Sequence, residues 1–439
     1  MKTAVRIPTQ RTPDRRYRPL LGLVIGHAVS LTGNMLTIIA LPLYVLAETG
    51  SAAATGLVAA FATAPMVIGG AFGGVVVDRI GYRRASVVAD LVSGVTIAAV
   101  PLLDRTVGLP FWALLALVFA TGLLDTPGQS ARIALLPEAA AAAGVPIERA
   151  VALFEATSRG SRLVGAPVAG LLVAAFGALT VLALDAVTFV VSAAVVAVLV
   201  PHGLRPAAEP EPDTGPDADA VRPAGYWREF TDGVRFLLRE PLLRLIVLMV
   251  LFTNLIDAAK GTVLLPVVAD RELGGATAFG LLAGAMGGGA LAGSLVFGAI
   301  GHRLPRRPTY VIAFLIAGGP PHLALAAGLP LPTLLAITLV AGFAAGAINP
   351  MIGAIELERV PVNMRARVFG VIGAGCWAAM PLGSVGAGLA VNAFGTTATL
   401  VVSGCCYLLL SLMPLLGGPW RDMTRPSPAR PAPVPEPAP

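Results

Sequence analysis

Residues 40–57 read ALPLYVLAETGSAAATGL, and residues 264–281 read LLPVVADRELGGATAFGL. The second stretch repeats the first at an offset of 224 residues: Leu41, Pro42, Gly50, Gly56 and Leu57 meet Leu265, Pro266, Gly274, Gly280 and Leu281. Ala52 and Ala54 meet Ala276 and Ala278, and further on Gly74 meets Gly298 and Arg79 meets Arg303. Later the offset becomes 218, with Gly165, Gly170, Phe176 and Gly177 opposite Gly383, Gly388, Phe394 and Gly395. Collinear matches over most of each half identify an internal duplication, with a short length difference near the AAAAAG run that precedes Val145.

The unit that is duplicated is membrane-spanning. Charged residues make up 13% of the 439-residue chain and apolar ones 56%, with a mean hydropathy of +0.80. A soluble chain carries about 25% charge. Apolar stretches of roughly 20 residues, long enough to cross a bilayer core of about 30 Å, recur throughout. We read twelve, at 20–46, 53–77, 85–103, 109–131, 151–175 and 178–200, then 242–266, 276–300, 308–328, 331–353, 366–392 and 396–418. The ten-residue alternating strands of a membrane barrel are absent from the pattern. The expected fold is all-α, with twelve transmembrane helices in two pseudo-symmetric six-helix bundles. Six spans per half make the repeats parallel, which places a substrate site near the midplane between them.

Residues 1–19 form a basic N-terminal segment, 20–200 the first bundle, 201–240 a linker, 241–420 the second bundle and 421–439 a Pro-rich tail. The linker carries EPEPDTGPDADA, too polar to fold alone. It ends in YWREFTDGVRFLLR (226–239), whose aromatic and leucine spacing predicts an amphipathic helix lying along the membrane surface.

The net charge of +6 follows the same alternation. Arg6, Arg11, Arg15, Arg16 and Arg18 precede the first span; Arg79, Arg83 and Arg84 follow the second; Arg303, Arg306 and Arg307 follow the eighth; Arg359 and Arg365 follow the tenth. The opposite loops offer only Arg105 and Arg271. Every second loop is basic, so the positive-inside rule puts both termini in the cytoplasm of a bacterial-type plasma membrane. The basic excess reports topology, and nucleic acid is not an expected partner. The first apolar run is too long for a cleaved signal peptide and lacks its small-residue site. Cys376, Cys405 and Cys406 all fall within spans, with neither disulfide nor metal-ligand spacing. No GxxxxGK[ST] phosphate loop occurs, so the energy source expected is a proton gradient, with no cofactor.

Between the second and third spans stands Gly74-Val-Val-Val-Asp78-Arg79-Ile80-Gly81-Tyr82-Arg83-Arg84. It resembles the GxxxDRxGRR loop of the major facilitator superfamily. The resemblance implies that Gly74, Asp78, Arg79, Gly81, Arg83 and Arg84 form a conformational latch between the halves. The second copy, from Gly298 to Arg307, has His302 for the acid and Pro305 for the glycine, and no equivalent latch is expected there. In the fifth span, Gly160, Gly165, Pro167 and Gly170 resemble the Gly/Pro-rich motif of drug–proton antiporters; plain helix packing explains them equally well. GNMLTIIALPLYVLAETGS, PVAGLLVAAFG and VPVNMRARVFGVIGAG are similar to the branch holding macrolide and enterobactin exporters. Many of those carry an acid where this chain has Asn34. The resemblance implies a monomeric exporter of a small amphipathic compound, with a siderophore or another self-made metabolite as the alternative substrate.

Ionisable residues inside spans are costly and are functional candidates. Glu155, Arg159 and Arg162 share one face of the fifth span, where Glu155 and Arg159 can neutralise each other. Asn254, Asp257 and Lys260 share one face of the seventh, where Asp257 is the candidate proton carrier and a permanent bridge to Lys260 is the alternative. Asp90 and Asp185 are weaker candidates, and Asp125 and Arg132 are grouped with the latch. A membrane-embedded enzyme would need clustered His, Cys or Asp at one membrane face, and a sensor an appended signalling domain; neither is present in the sequence.

Overall fold

The computed structural model describes residues 13–202, 204, 226–361 and 364–423; the side chains at 13–16, 66–76, 78, 226–229 and 366 lie outside the described residues. The described chain is all-α. The first half comprises α1 (Pro13–Thr49), α2 (Ala52–Ile80), α3 (Tyr82–Thr106), α4 (Phe111–Ala134), a short α5 (Leu136–Ala143), α6 (Ile147–Phe176) and α7 (Ala178–Leu199). Next comes α8 (Tyr226–Arg239), the amphipathic helix the sequence predicts. The second half comprises α9 (Pro241–Ala259), α10 (Leu265–Glu272), α11 (Ala276–Ile300), α12 (Arg306–Ala317), α13 (Gly319–Ala326), α14 (Leu331–Ala345), α15 (Ile348–Arg359), α16 (Arg365–Phe394) and α17 (Thr396–Leu412).

Among the described residues, ten helical segments are long and apolar enough to cross a membrane. The chain is therefore a multi-spanning membrane protein. Two of the expected spans fall outside the ten. In α2 the shorter apolar stretch Ala52–Pro65 is described, and α6 carries Glu155, Arg159 and Arg162 within its apolar run. Three expected spans of the second half are interrupted rather than continuous. A π-helical turn, Lys260–Leu264, joins α9 to α10; α12 gives way to α13 at Gly318, and α14 to α15 at Gly346–Ala347. The helix α5 was not expected: it is the alanine run, closed by Gly144 at φ 68°.

The duplicated glycines mark duplicated turns. Gly50 and Gly274 have φ of 61° and 88°, and Gly177 and Gly395 have 79° and 84°. These left-handed values cost a side chain energy that glycine avoids, so glycine persists in both copies. The four turns define one end of the molecule, called here the far end. The near end carries Gly81, α5 and α8.

Within the first half α1 packs on α6 and α7, α2 on α4, and α3 on α4 and α7. The second half repeats the scheme, with α9 on α16, α11 on α14, and α12 and α13 on both α14 and α17. The halves meet through α2 on α16 and α6 on α11. These two crossings are built from swapped members of the repeat. A methyl group on Gly56 would strike the Ser384 carbonyl and Gly388; one on Gly280 would strike the Ala166 carbonyl and Gly170. Absent side chains let the backbones approach closely.

Apolar clusters shared by both halves lie at the far end. Ile39, Ala166 and Ala169 pack with Ala269, Ala276 and Phe279, and Leu46 and Ala52 pack with Val263, Leu264, Val267 and Val391. At the near end the clusters among the described residues belong to one half each: Leu20, Leu23, Leu135 and Val196 in the first, Leu242, Ile246, Tyr310 and Trp420 in the second. Among the described residues, the apolar clusters that join the halves thus lie at the far end.

Candidate functional site

The first half buries a polar network along one side of α1. Ser30, Gly33, Asn34 and Thr37 fall at helical spacing, so they share a face. Each touches a different part of the network. Ser30 Oγ accepts from Arg132 Nη2 at 3.3 Å, Asn34 Nδ2 donates to Asp125 Oδ2 at 3.0 Å, and Thr37 Oγ1 donates to Asp185 Oδ2 at 2.5 Å. Gly33 leaves room for Asp185 and Thr188. The guanidinium of Arg132 pairs with Asp90 at 2.8 Å, both side chains wholly buried. Ser86 and Ser192 complete the cage: each lies within reach of Arg132, and Ser192 Oγ donates to Asp90 at 2.6 Å. Without such partners a buried pair would not recover its desolvation cost.

Asp125 and Asp185 are different. Both are buried, and among the described residues neither forms an ion pair. Asp125 accepts from Asn34 and, at 2.6 Å, from Gln129, all on Oδ2. Its buried Oδ1 has no hydrogen-bond partner among the described residues. Asp185 accepts from Thr37 and Thr188. The network therefore holds three carboxylates, Asp90, Asp125 and Asp185, against one guanidinium. Among the described residues, Arg132, which the sequence groups with the latch, pairs with Asp90, and Asp125 faces α1.

The second half arranges its charges around a cavity. Lys260 Nζ bonds Asp257 Oδ1 at 3.0 Å, and Tyr407 Oη donates to Asp257 Oδ2 at 3.3 Å. The Asp257 side chain is 39% exposed and that of Lys260 13%. Lys260 opens the π-helical turn, a feature often found where a helix re-aims a functional side chain. Asn254 donates to the Cys376 carbonyl at 3.0 Å. Asn254 and Asp257 line a cavity of about 150 Å³ together with Thr253, Phe314, Asn349 and Tyr407. Asn349 and Tyr407 were missed in the sequence; the signal was a carboxamide in an otherwise apolar span.

The exposed stripe on α6 is not self-neutralised. Glu155, Arg159 and Arg162 are all exposed, and no ion pair joins Glu155 to Arg159 among the described residues. Toward the far end the same side of α6 meets α11, where Leu163 lies beneath Gly287 and Gly288 and Pro167 against Gly284. The charges continue that side toward the near end. Of the other residues in the motif, Gly170 forms the crossing with Gly280, Gly165 packs on Met35 of α1, and Gly160 faces open space.

At the loop between α2 and α3, Gly81 has φ 90° and its N–H closes α2 onto the Val77 carbonyl at 2.8 Å. The side chain of Asp78 and the surroundings of Gly74 lie outside the described residues. Arg79 and Arg84 are exposed. Arg83 donates to the carbonyls of Val200 at 2.6 Å and Ala197 at 2.5 Å, at the end of α7. The second copy does the same: Arg307, its counterpart at the 224 offset, donates to Pro414 and Leu415 at 2.8 and 3.0 Å. The second loop is degenerate in its acid and glycine but not in this anchor. A cation at a helix C-terminus meets both the orphan carbonyls and the helix dipole.

A family model described as Major Facilitator Superfamily matches residues 23–271 and 250–438. The chain is 31% identical to the multidrug efflux pump Tap of Mycolicibacterium fortuitum over 406 residues, 90% of this chain and 94% of that relative. It is 30% identical to the multidrug efflux pump Tap of Mycobacterium tuberculosis over 428 residues, 93% of this chain and 97% of that one. Among solved structures, the nucleoside transporter NupG superposes with a TM-score of 0.70 at 12% identity, covering 92% of this chain and 98% of that one. At that identity the likeness speaks for the fold alone. The duplicated turns, the parallel packing of the two halves and the match along both halves agree: this protein is a secondary transporter of small solutes, not an enzyme, and it belongs to the Major Facilitator Superfamily.

Proposed function

We propose that the protein exports small amphipathic compounds, of the kind handled by multidrug pumps, by alternating access in exchange for protons. In this reading its helices form twelve spans in two six-helix bundles, with both termini in the cytoplasm. The observation that carries it is the one-sided closure. The halves lock at the far end through two equivalent glycine crossings and shared apolar clusters, and among the described residues the near-end clusters each stay within one half. If the basic loops are cytoplasmic, this is the state that receives a compound from the cell interior. The relatives named as multidrug efflux pumps support export as the direction.

The proton is assigned to Asp125 and Asp185. Each is buried, hydrogen-bonded to α1 and without a cation, the setting in which a charged carboxylate is costly and a protonated one is not. Asp257 has Lys260 as its counter-ion and is partly exposed, so it needs no proton to stay where it is. The test is efflux of a fluorescent amphipathic dye from a host lacking its own exporters, with and without a protonophore. Efflux should stop when the gradient collapses; efflux that continues would remove proton exchange from the reading.

A further inference from the structure

Asp257 is the one charged residue among those lining the cavity. Its carboxylate has lone pairs left after its bonds to Lys260 and Tyr407, and the Asn254 and Asn349 side-chain carbonyls add further acceptors. The rings of Phe314 and Tyr407, with centroids 6.5 Å apart, form an apolar wall. A carboxylate, free carbonyl acceptors and aromatic surface together favour a cation carrying N–H donors. The structure already sets one such cation on the same carboxylate, on a tether. Lys260 brings a primary ammonium to Asp257 Oδ1 from the π-helical turn.

We infer that this cavity binds the ammonium group of a protonated alkylamine, which takes the place of Lys260 on Asp257. Lys260 is then an internal stand-in: it neutralises the carboxylate while the cavity holds no ligand and yields to a ligand of the same charge. The exchange keeps the partly buried carboxylate paired throughout, so its charge is never left uncompensated. Neutral compounds of the same shape gain nothing from it. At about 150 Å³ the cavity admits an ammonium with a short alkyl stem, so a larger amphipathic amine would leave its apolar body outside. As a substrate site this rests on the export reading; as a binding site it does not.

The probe is n-butylammonium, compared with neutral n-butanol on purified full-length protein in lipid nanodiscs at constant ionic strength. Binding is read as a concentration-dependent rise in the thermal unfolding midpoint. Wild type should be stabilised by the ammonium and not by the alcohol. Lys260→Gln should tighten ammonium binding by about three- to tenfold, because a competing ion pair of modest strength is gone. Asp257→Asn should abolish the preference for the ammonium. If that variant fails to fold, Asn349→Leu, which fills the cavity, should abolish it instead. A wild type that does not distinguish the two probes, or a Lys260→Gln variant that binds the ammonium no tighter, would overturn the site. Dye efflux measured in parallel separates the two readings. Ammonium binding without efflux upholds the site and sinks export; efflux without ammonium preference does the reverse.

Discussion

The two halves share a scaffold and differ in how they keep charge out of lipid. In the first half three carboxylates and one guanidinium are sealed among helices, with serine, threonine and asparagine from α1, α3 and α7 supplying the bonds that water would otherwise give. In the second half one carboxylate and one ammonium sit beside a cavity, partly exposed. A sealed carboxylate without a cation can change only by gaining or losing a proton. A carboxylate open to a cavity can also exchange its cation. Duplication provided two equivalent frames, and divergence gave them different charged groups in different surroundings.

The sharpest way to break this comparison is at Arg132. Arg132→Ala leaves Asp90 buried and unpaired, which should cost about 3–5 kcal/mol and remove most folded protein from the membrane fraction. Replacing both members, Asp90→Leu with Arg132→Leu, should recover much of that loss. A double variant no better than the single one would mean that the network supports the fold through more than this pair.

Next comes the division of labour. Asp125→Asn should reduce proton-driven efflux at least about tenfold while leaving exchange of substrate for substrate across proteoliposomes intact, since the affected step is proton exchange. Asp257→Asn should do the opposite for amine substrates, lowering uptake into the exchange cycle while a neutral substrate still moves with the gradient. Equal losses in both assays for both variants would erase the distinction between the halves.

The smallest expected effect tests their likeness instead. Arg83→Gln and Arg307→Gln each remove two charge-assisted bonds to helix-end carbonyls, worth about 1–3 kcal/mol in total given their partial exposure. The two thermal shifts should agree closely. If only Arg83→Gln impairs transport, the first loop has a latch function beyond this anchor, as its resemblance to the superfamily's loop implies.

What was legible in the sequence was whatever backbone sterics dictate locally. Gly50, Gly177, Gly274 and Gly395 could be matched because each supports a left-handed turn, and Gly56, Gly170, Gly280 and Gly388 because a side chain there would meet a helix backbone. Pairings across the bundle were not legible. Asn34 meets Asp125 across 91 positions, and Thr37 meets Asp185 across 148; nothing local to either member announces the other. The polar spacing of Ser30, Asn34 and Thr37 on α1 was there to be read, but it does not say what that face meets. The interrupted helices of the second half were hidden for a related reason. Neither the π-helical turn at Lys260 nor the break at Gly346 changes the apolar composition from which the spans were read.

The swapped glycines have a further consequence. Gly56 and Gly280 are copies of one ancestral position, Gly170 and Gly388 copies of another, and each crossing pairs one member of each kind. That is the contact rule of an isologous dimer, in which residue i of one subunit touches j of its partner and j touches i. The single chain thus retains the interface of a two-fold homodimer, with the linker joining its subunits. Steric relief gained at one crossing as the subunits rotate is gained equally at the other.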